Sequence, residues 1–275
     1  MRNPIRNLIA FLILIALFCA NRGSAQNDEA LTPFRRPGLV SNDPTTPAPQ
    51  RIQRGIDLLR KEFASPTPPQ WGTGLGAPIY LDSGVYQANL VEALGVAGLD
   101  ARDQLKASRD TAETPRLKNL LTIALGLTGD RRVVPELLKL SVQESQGMVR
   151  ARALRTLTLF LSKPLTEEDK KRFAFGEGWH PLDETTLKSV EQTLVTRLDD
   201  PYTCYSGSCV CEQMDYPVRR EAVTGLRQMG YQLQWEAEKK TWALLTPQGK
   251  RLRSVVRERP VTAADLPPGY KLRPQ

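Results

Sequence analysis

Residues 121–129 read Leu121-Thr122-Ile123-Ala124-Leu125-Gly126-Leu127-Thr128-Gly129, and an upstream stretch repeats the pattern as Leu90-Val91-Glu92-Ala93-Leu94-Gly95-Val96-Ala97-Gly98. The Ala-Leu-Gly triplet recurs at an offset of 31 residues. A third copy, Val149-Arg150-Ala151-Arg152-Ala153-Leu154-Arg155-Thr156-Leu157, sets Leu157 against Leu125 at an offset of 32. A fourth, Val218-Arg219-Arg220-Glu221-Ala222-Val223-Thr224-Gly225-Leu226, lies 69 residues beyond the third, about two repeat lengths. A period of this size marks stacked helix pairs, because one pair buries too little apolar surface to stand alone. The extra length before the fourth copy places insertions near residues 162–182 and 199–215. Small Ala93, Ala124, Ala153 and Ala222 predict close helix approach. Gly98 and Gly129 are expected as left-handed helix caps, with Asp130 starting the next helix.

Leu125-Gly126-Leu127-Thr128-Gly129-Asp130, Val134-Pro135-Glu136-Leu137-Leu138 and the Val-Arg units at 149–154 and 218–223 together resemble HEAT repeats of the short bacterial type. The resemblance covers residues 84–161 well and 183–230 with an interruption. It implies an α-solenoid of antiparallel helix pairs that binds other molecules, with the second helix of each pair on the concave side. It also implies that Arg150 and Arg219 bridge neighbouring repeats. On that arrangement Arg152, Arg155, Arg220 and Arg227 lie off the core stripe, with Lys118 as their counterpart one repeat earlier. These five are the candidate partner-binding residues, suited to a protein or acidic macromolecule because the arginine fork binds carboxylates in pairs. A solvated helix face with salt bridges inside each repeat is the other reading.

The chain of 275 residues is 40% hydrophobic and 25% charged, the balance of a globular protein, and its 7% aromatic content argues against an all-β fold. The expected class is all-α: a HEAT-like repeat domain over 83–230, a β-hairpin cap over 231–246 and a basic tail over 247–275. The hairpin rests on alternation through Leu233, Trp235, Trp242 and Leu244, which sets both tryptophans on one face, over the end of the helix stack. Ahead of the repeats, residues 51–82 read as an amphipathic helix with Ile52, Ile56, Leu59 and Phe63 in step, then a Pro/Gly-rich loop. Residues 26–50 read as a Pro-rich linker.

Residues 1–25 have the form of a signal peptide: Arg2 and Arg6, a 13-residue apolar run from Leu8 to Ala20, and Gly23-Ser24-Ala25 before the cleavage point. A membrane span needs about 20 apolar residues, so an uncleaved anchor is the secondary reading. The mature chain is expected to be exported, periplasmic or secreted. Loss of the signal lowers the net charge from +8 to +5, and the tail alone carries +5. A basic tail outside the cytoplasm suits an anionic envelope surface rather than nucleic acid.

Chemistry is sparsely signalled. His180, in Gly176-Glu177-Gly178-Trp179-His180-Pro181, is the one histidine, which excludes multi-histidine metal sites. No phosphate loop or dinucleotide fingerprint occurs, so no cofactor is expected. After cleavage three cysteines remain, Cys204, Cys209 and Cys211, inside the second insertion. Export favours a disulfide, from Cys204 to Cys209 or Cys211, which leaves one thiol over. The leading expectation is a non-catalytic binding scaffold without a bound metal. The alternative is a thiol-dependent enzyme or a redox or metal-binding factor built on the cysteine cluster.

Overall fold

The computed structural model describes residues 45–66, 68, 70–74, 77–163, 166–174, 178–206, 213–239, 241–266 and 269. The expected signal peptide and the linker up to residue 44 lie outside the described residues. The chain opens with α1 (Ala48–Ala64), a strand pair β1 (Gln70–Gly74) and β2 (Ala77–Leu81), then α2 (Ser83–Gly98), α3 (Arg102–Asp110) and α4 (Pro115–Leu127). A 3-10 turn leads into α5 (Val134–Gln143) and α6 (Gly147–Thr158), followed by a short α7 (Glu167–Phe173) and α8 (Glu184–Arg197). Strands β3 (Cys204–Ser206) and β4 (Gln213–Asp215) precede α9 (Pro217–Gln228). The chain ends on β5 (Gln232–Glu236), β6 (Thr241–Leu245), β7 (Arg251–Val255), β8 (Glu258–Pro260) and a 3-10 turn.

Local sequence explains the helix boundaries. Asp82 accepts the Val85 N–H at 2.8 Å and starts α2, and Thr114 accepts the Leu117 N–H at 3.2 Å ahead of Pro115 in α4. Gly129 ends α4 with φ +91°, as expected of a left-handed cap, and Asp130 accepts the Arg132 N–H at 3.1 Å to start the next turn. Gly98 does otherwise: it closes α2 in helical conformation, where a side chain would meet Leu105 and Thr128.

The glycine of the Ala-Leu-Gly triplet has a packing role. A Cβ at Gly95 would sit 2.6 Å from Leu127 Cβ, and one at Gly126 would sit 2.7 Å from Thr156 Cγ2. Each of these glycines therefore admits a side chain of the next helix but one, α4 against Gly95 and α6 against Gly126. The alanines contribute in the same way, with Ala124, Ala153 and Ala222 fully buried and Ala93 partly so.

Helices pack as neighbours in the pairs α1–α2, α3–α4, α5–α6 and α8–α9, and the second members touch in series, α2 on α4, α4 on α6 and α6 on α9. Helices α2 and α6 also meet directly. One apolar cluster runs through all of them, from Ile52 and Leu59 through Leu94, Leu121, Leu125, Leu154 and Leu226 to Val255. The two expected insertions hold α7 and the β3–β4 hairpin. Phe173 of α7 meets Phe160 edge to face, centroids 5.9 Å apart, and so ties the first insertion to the core.

Among the described residues the fold is mainly helical rather than all-α, because three small antiparallel sheets accompany the helices. Where a loop was expected ahead of residue 82, β1 and β2 pair from Gln70↔Leu81 to Gly74↔Ala77. The two-stranded cap becomes a three-stranded sheet in the order β5-β6-β7. The expected tail supplies β7, and β8 joins β3 and β4 in the order β3-β4-β8. A segment this basic enters a sheet because acids meet its arginines: Arg251 bonds Glu236 at 2.8 and 3.1 Å, Arg253 bonds Asp199, and Arg259 bonds both oxygens of Asp265 at 2.6 Å. Trp235 and Trp242 do share a face, directly opposite each other. The residues that close the helical core are Leu244 and Val255, and Trp235 stays 49% exposed.

Candidate functional site

Two sets of arginines separate in the structure. The first set lies at the starts of the second helices. Arg116 of α4 bonds Gln87 of α2 at 2.7 Å and the buried carboxylate of Glu144. Arg150 of α6 grips the buried Asp200 with two bonds at 2.7 and 2.9 Å and donates to the Glu144 carbonyl at 2.8 Å. Arg219 of α9 donates to the Asp200 carbonyl at 2.8 Å and lies 3.7 Å above the Tyr216 ring. The links Arg116–Glu144–Arg150–Asp200–Arg219 form a ladder across successive pairs, the bridging role expected of Arg150 and Arg219. Such paired, hydrogen-bonded charges tolerate burial, whereas one left alone does not.

The second set faces the junction of α2, α6 and α9. Arg152 reaches Glu92 of α2 at 2.9 Å and Asn89 Oδ1 at 3.4 Å. Arg155, one turn on, approaches the same Glu92 at 3.6 Å. Arg220 bonds Asp215 of β4 and approaches Glu221 at 3.7 Å. The expected basic stripe is therefore a mixed cluster, three arginines against Glu92, Asp215 and Glu221. Burial lowers the Arg152 pKa, Glu92 opposes the shift, and the neighbouring Arg155 adds to it. Burial raises the carboxyl of Glu221 above the usual carboxylate range, against the pull of Arg220, Arg155 and Arg152. Asp215 is raised for the same reason, with Arg220 opposing.

The cluster is not saturated. Arg152 Nε is buried without a hydrogen-bond partner among the described residues. The side chains of Arg155 and Arg220 stay 50% and 45% exposed. A guanidinium has five N–H donors, so both keep donors for a ligand. The other two candidates lie apart from this network. Arg227 is exposed, and its side chain makes no hydrogen bond or ion pair among the described residues. Lys118 is exposed on the face of α4 that carries Thr122, and Thr122 accepts from Arg109 of α3 at 3.1 Å. Glu92, Asp215 and Glu221 escaped the sequence reading. Glu221 adjoins Arg220 and Asp215 lies five residues before it, both local signals, but Glu92 becomes a neighbour of the arginines only through tertiary packing.

Cys204 is buried and has no disulfide partner among the described residues; burial pushes its thiol up to about 12, with Asp215 adding to the shift. A thiol raised in this way is a weaker nucleophile at neutral pH than an exposed one. Cys209 and Cys211 lie outside the described residues. The register sets Cys204 opposite Asp215. Among the described residues no cluster of histidine, cysteine and carboxylates has the form of a metal site. Trp179 packs on the helical core beside an exposed His180. No described helix is long and apolar enough to cross a membrane.

Comparison of the chain with protein-family models, curated proteins and solved structures returned no match.

Proposed function

We propose that this protein is an exported, non-catalytic binding scaffold: a short HEAT-like α-solenoid that holds an acidic protein segment or other anionic macromolecule against Arg152, Arg155 and Arg220. The observation that carries this reading is the unsaturated cluster at the junction of α2, α6 and α9. Glu92, Asp215 and Glu221 hold the guanidinium groups in place from one side, and the half-exposed donors of Arg155 and Arg220 remain for a carboxylate. Serial contact of α2, α4, α6 and α9 supports the solenoid, and the arginine ladder keeps that spacing rigid. The burial of Cys204, which pushes its thiol upward, favours the scaffold over thiol chemistry at that residue.

A labelled hexaglutamate peptide tests the reading by titration at low and moderate salt. Binding is expected, weakening as salt rises, while hexalysine does not bind. Charge-assisted hydrogen bonds contribute about 1.5–3 kcal/mol each, so Arg155→Ala with Arg220→Ala should weaken binding at least about tenfold with the helical spectrum unchanged. Equal binding by the double variant would remove the site.

A further inference from the structure

The C-terminal sheet has two edges, and they differ. Strand β7 carries the irregularity of its sheet, a register shift opposite Leu244 and Leu245, and presents Arg251 and Arg253, the second held by Asp199 of the helical body. Bulges and charges are the usual means of blunting an edge strand. Strand β5, Gln232-Leu233-Gln234-Trp235-Glu236, has no bulge and a single charge. It pairs with β6 on one side only. On its other side, among the described residues, the one backbone group of 232–236 engaged outside the sheet is the Glu236 carbonyl, which accepts the Lys239 N–H of the following turn. The side chains give no reason for the edge to stay open. The single charge, Glu236, is neutralised by two bonds from Arg251 and by Lys239 at 3.4 Å. Trp235 stands 49% exposed at this edge, its ring resting on Trp242 with centroids 5.3 Å apart.

We infer that β5 is a self-association edge, at which a second copy of this chain adds its own β5 antiparallel. The strand is self-complementary in that arrangement. A two-fold axis through Gln234 sets Leu233 opposite the partner's Trp235, and Trp235 opposite the partner's Leu233, on the face that continues the apolar side of the sheet. On the other face Gln232 meets the partner's Glu236, a donor against an acceptor whose charge Arg251 already balances. Cross-strand aromatic–aliphatic pairs are the contacts that stabilise antiparallel strands, and a two-fold interface uses the same patch from both copies. The pairing covers the exposed indole and satisfies the open backbone groups in one step. It involves a surface other than the arginine cluster and stands independently of the proposed scaffold role.

Sedimentation of the mature chain from micromolar to submillimolar concentration tests this directly. The expected result is a concentration-dependent shift to twice the monomer mass. Trp235→Lys, at a half-exposed site, should stay monomeric throughout with an unchanged helical spectrum. Gln234→Cys gives a second readout that does not depend on removing a contact. Residues opposed across antiparallel strands have Cα atoms about 4.5–5.5 Å apart, within disulfide range, so mild oxidation should give a covalent dimer that the native chain run alongside does not form. A monomer at every concentration overturns the inference, and so does a dimer that persists in Trp235→Lys or fails to cross-link through residue 234.

Discussion

Glu221 shows most clearly how one residue reports on the cluster. Arg220, Arg155, Arg152 and Asp215 surround it, and burial holds its carboxyl above the usual range. A raised folded pKa means that its contribution to stability is fully present below the unfolded value and is lost as pH rises through the folded one. Glu221→Gln removes that dependence. The melting temperature of the variant, relative to the native protein, should therefore climb between pH 4.5 and pH 7.5. Thermal scans across that range check it; a flat or falling difference would mean the carboxyl is not desolvated as described. The stripe of Arg152, Arg155 and Arg220 was legible as residues off the apolar positions of their helices. Its neutralisation by Glu92 was not, because that residue lies on another helix, 60 residues from Arg152 in sequence.

At the scale of elements, the helices were readable because apolar spacing and small residues recur together. Gly126 tests the packing. Glycine to alanine inside a helix normally stabilises by about 0.8–1 kcal/mol. Here the added methyl would lie 2.7 Å from Thr156 and 2.9 Å from Leu137, so Gly126→Ala should instead destabilise by about 1–3 kcal/mol. Urea unfolding measures the difference, and a stabilised variant would show that α4 and α6 are not so closely apposed. The strands were harder to read. The β5–β6 alternation stood out, but β7 and β8 did not, since Arg251, Arg253 and Arg259 look like a solvated tail until Glu236, Asp199 and Asp265 are in place. Strands β1 and β2 lie in a stretch with Gly72, Gly74, Gly76 and Pro78, composition that signals a loop as strongly as a hairpin.

For the molecule as a whole, the account joins a stacked helical core to an arginine cluster at the meeting point of α2, α6 and α9. The ladder Arg116–Glu144–Arg150–Asp200–Arg219 runs beside that cluster and fixes the helices that carry it. The rival contact for an anionic partner is the basic C-terminal segment, of whose described arginines Arg251, Arg253 and Arg259 are already engaged with acids. Amide hydrogen exchange with and without hexaglutamate separates the two in a single experiment. The account predicts that added protection falls on the segments around residues 89–92, 152–155 and 215–221, with none in residues 247–266. Protection confined to 247–266, or no protection at the three helix segments when the peptide is bound, would contradict it.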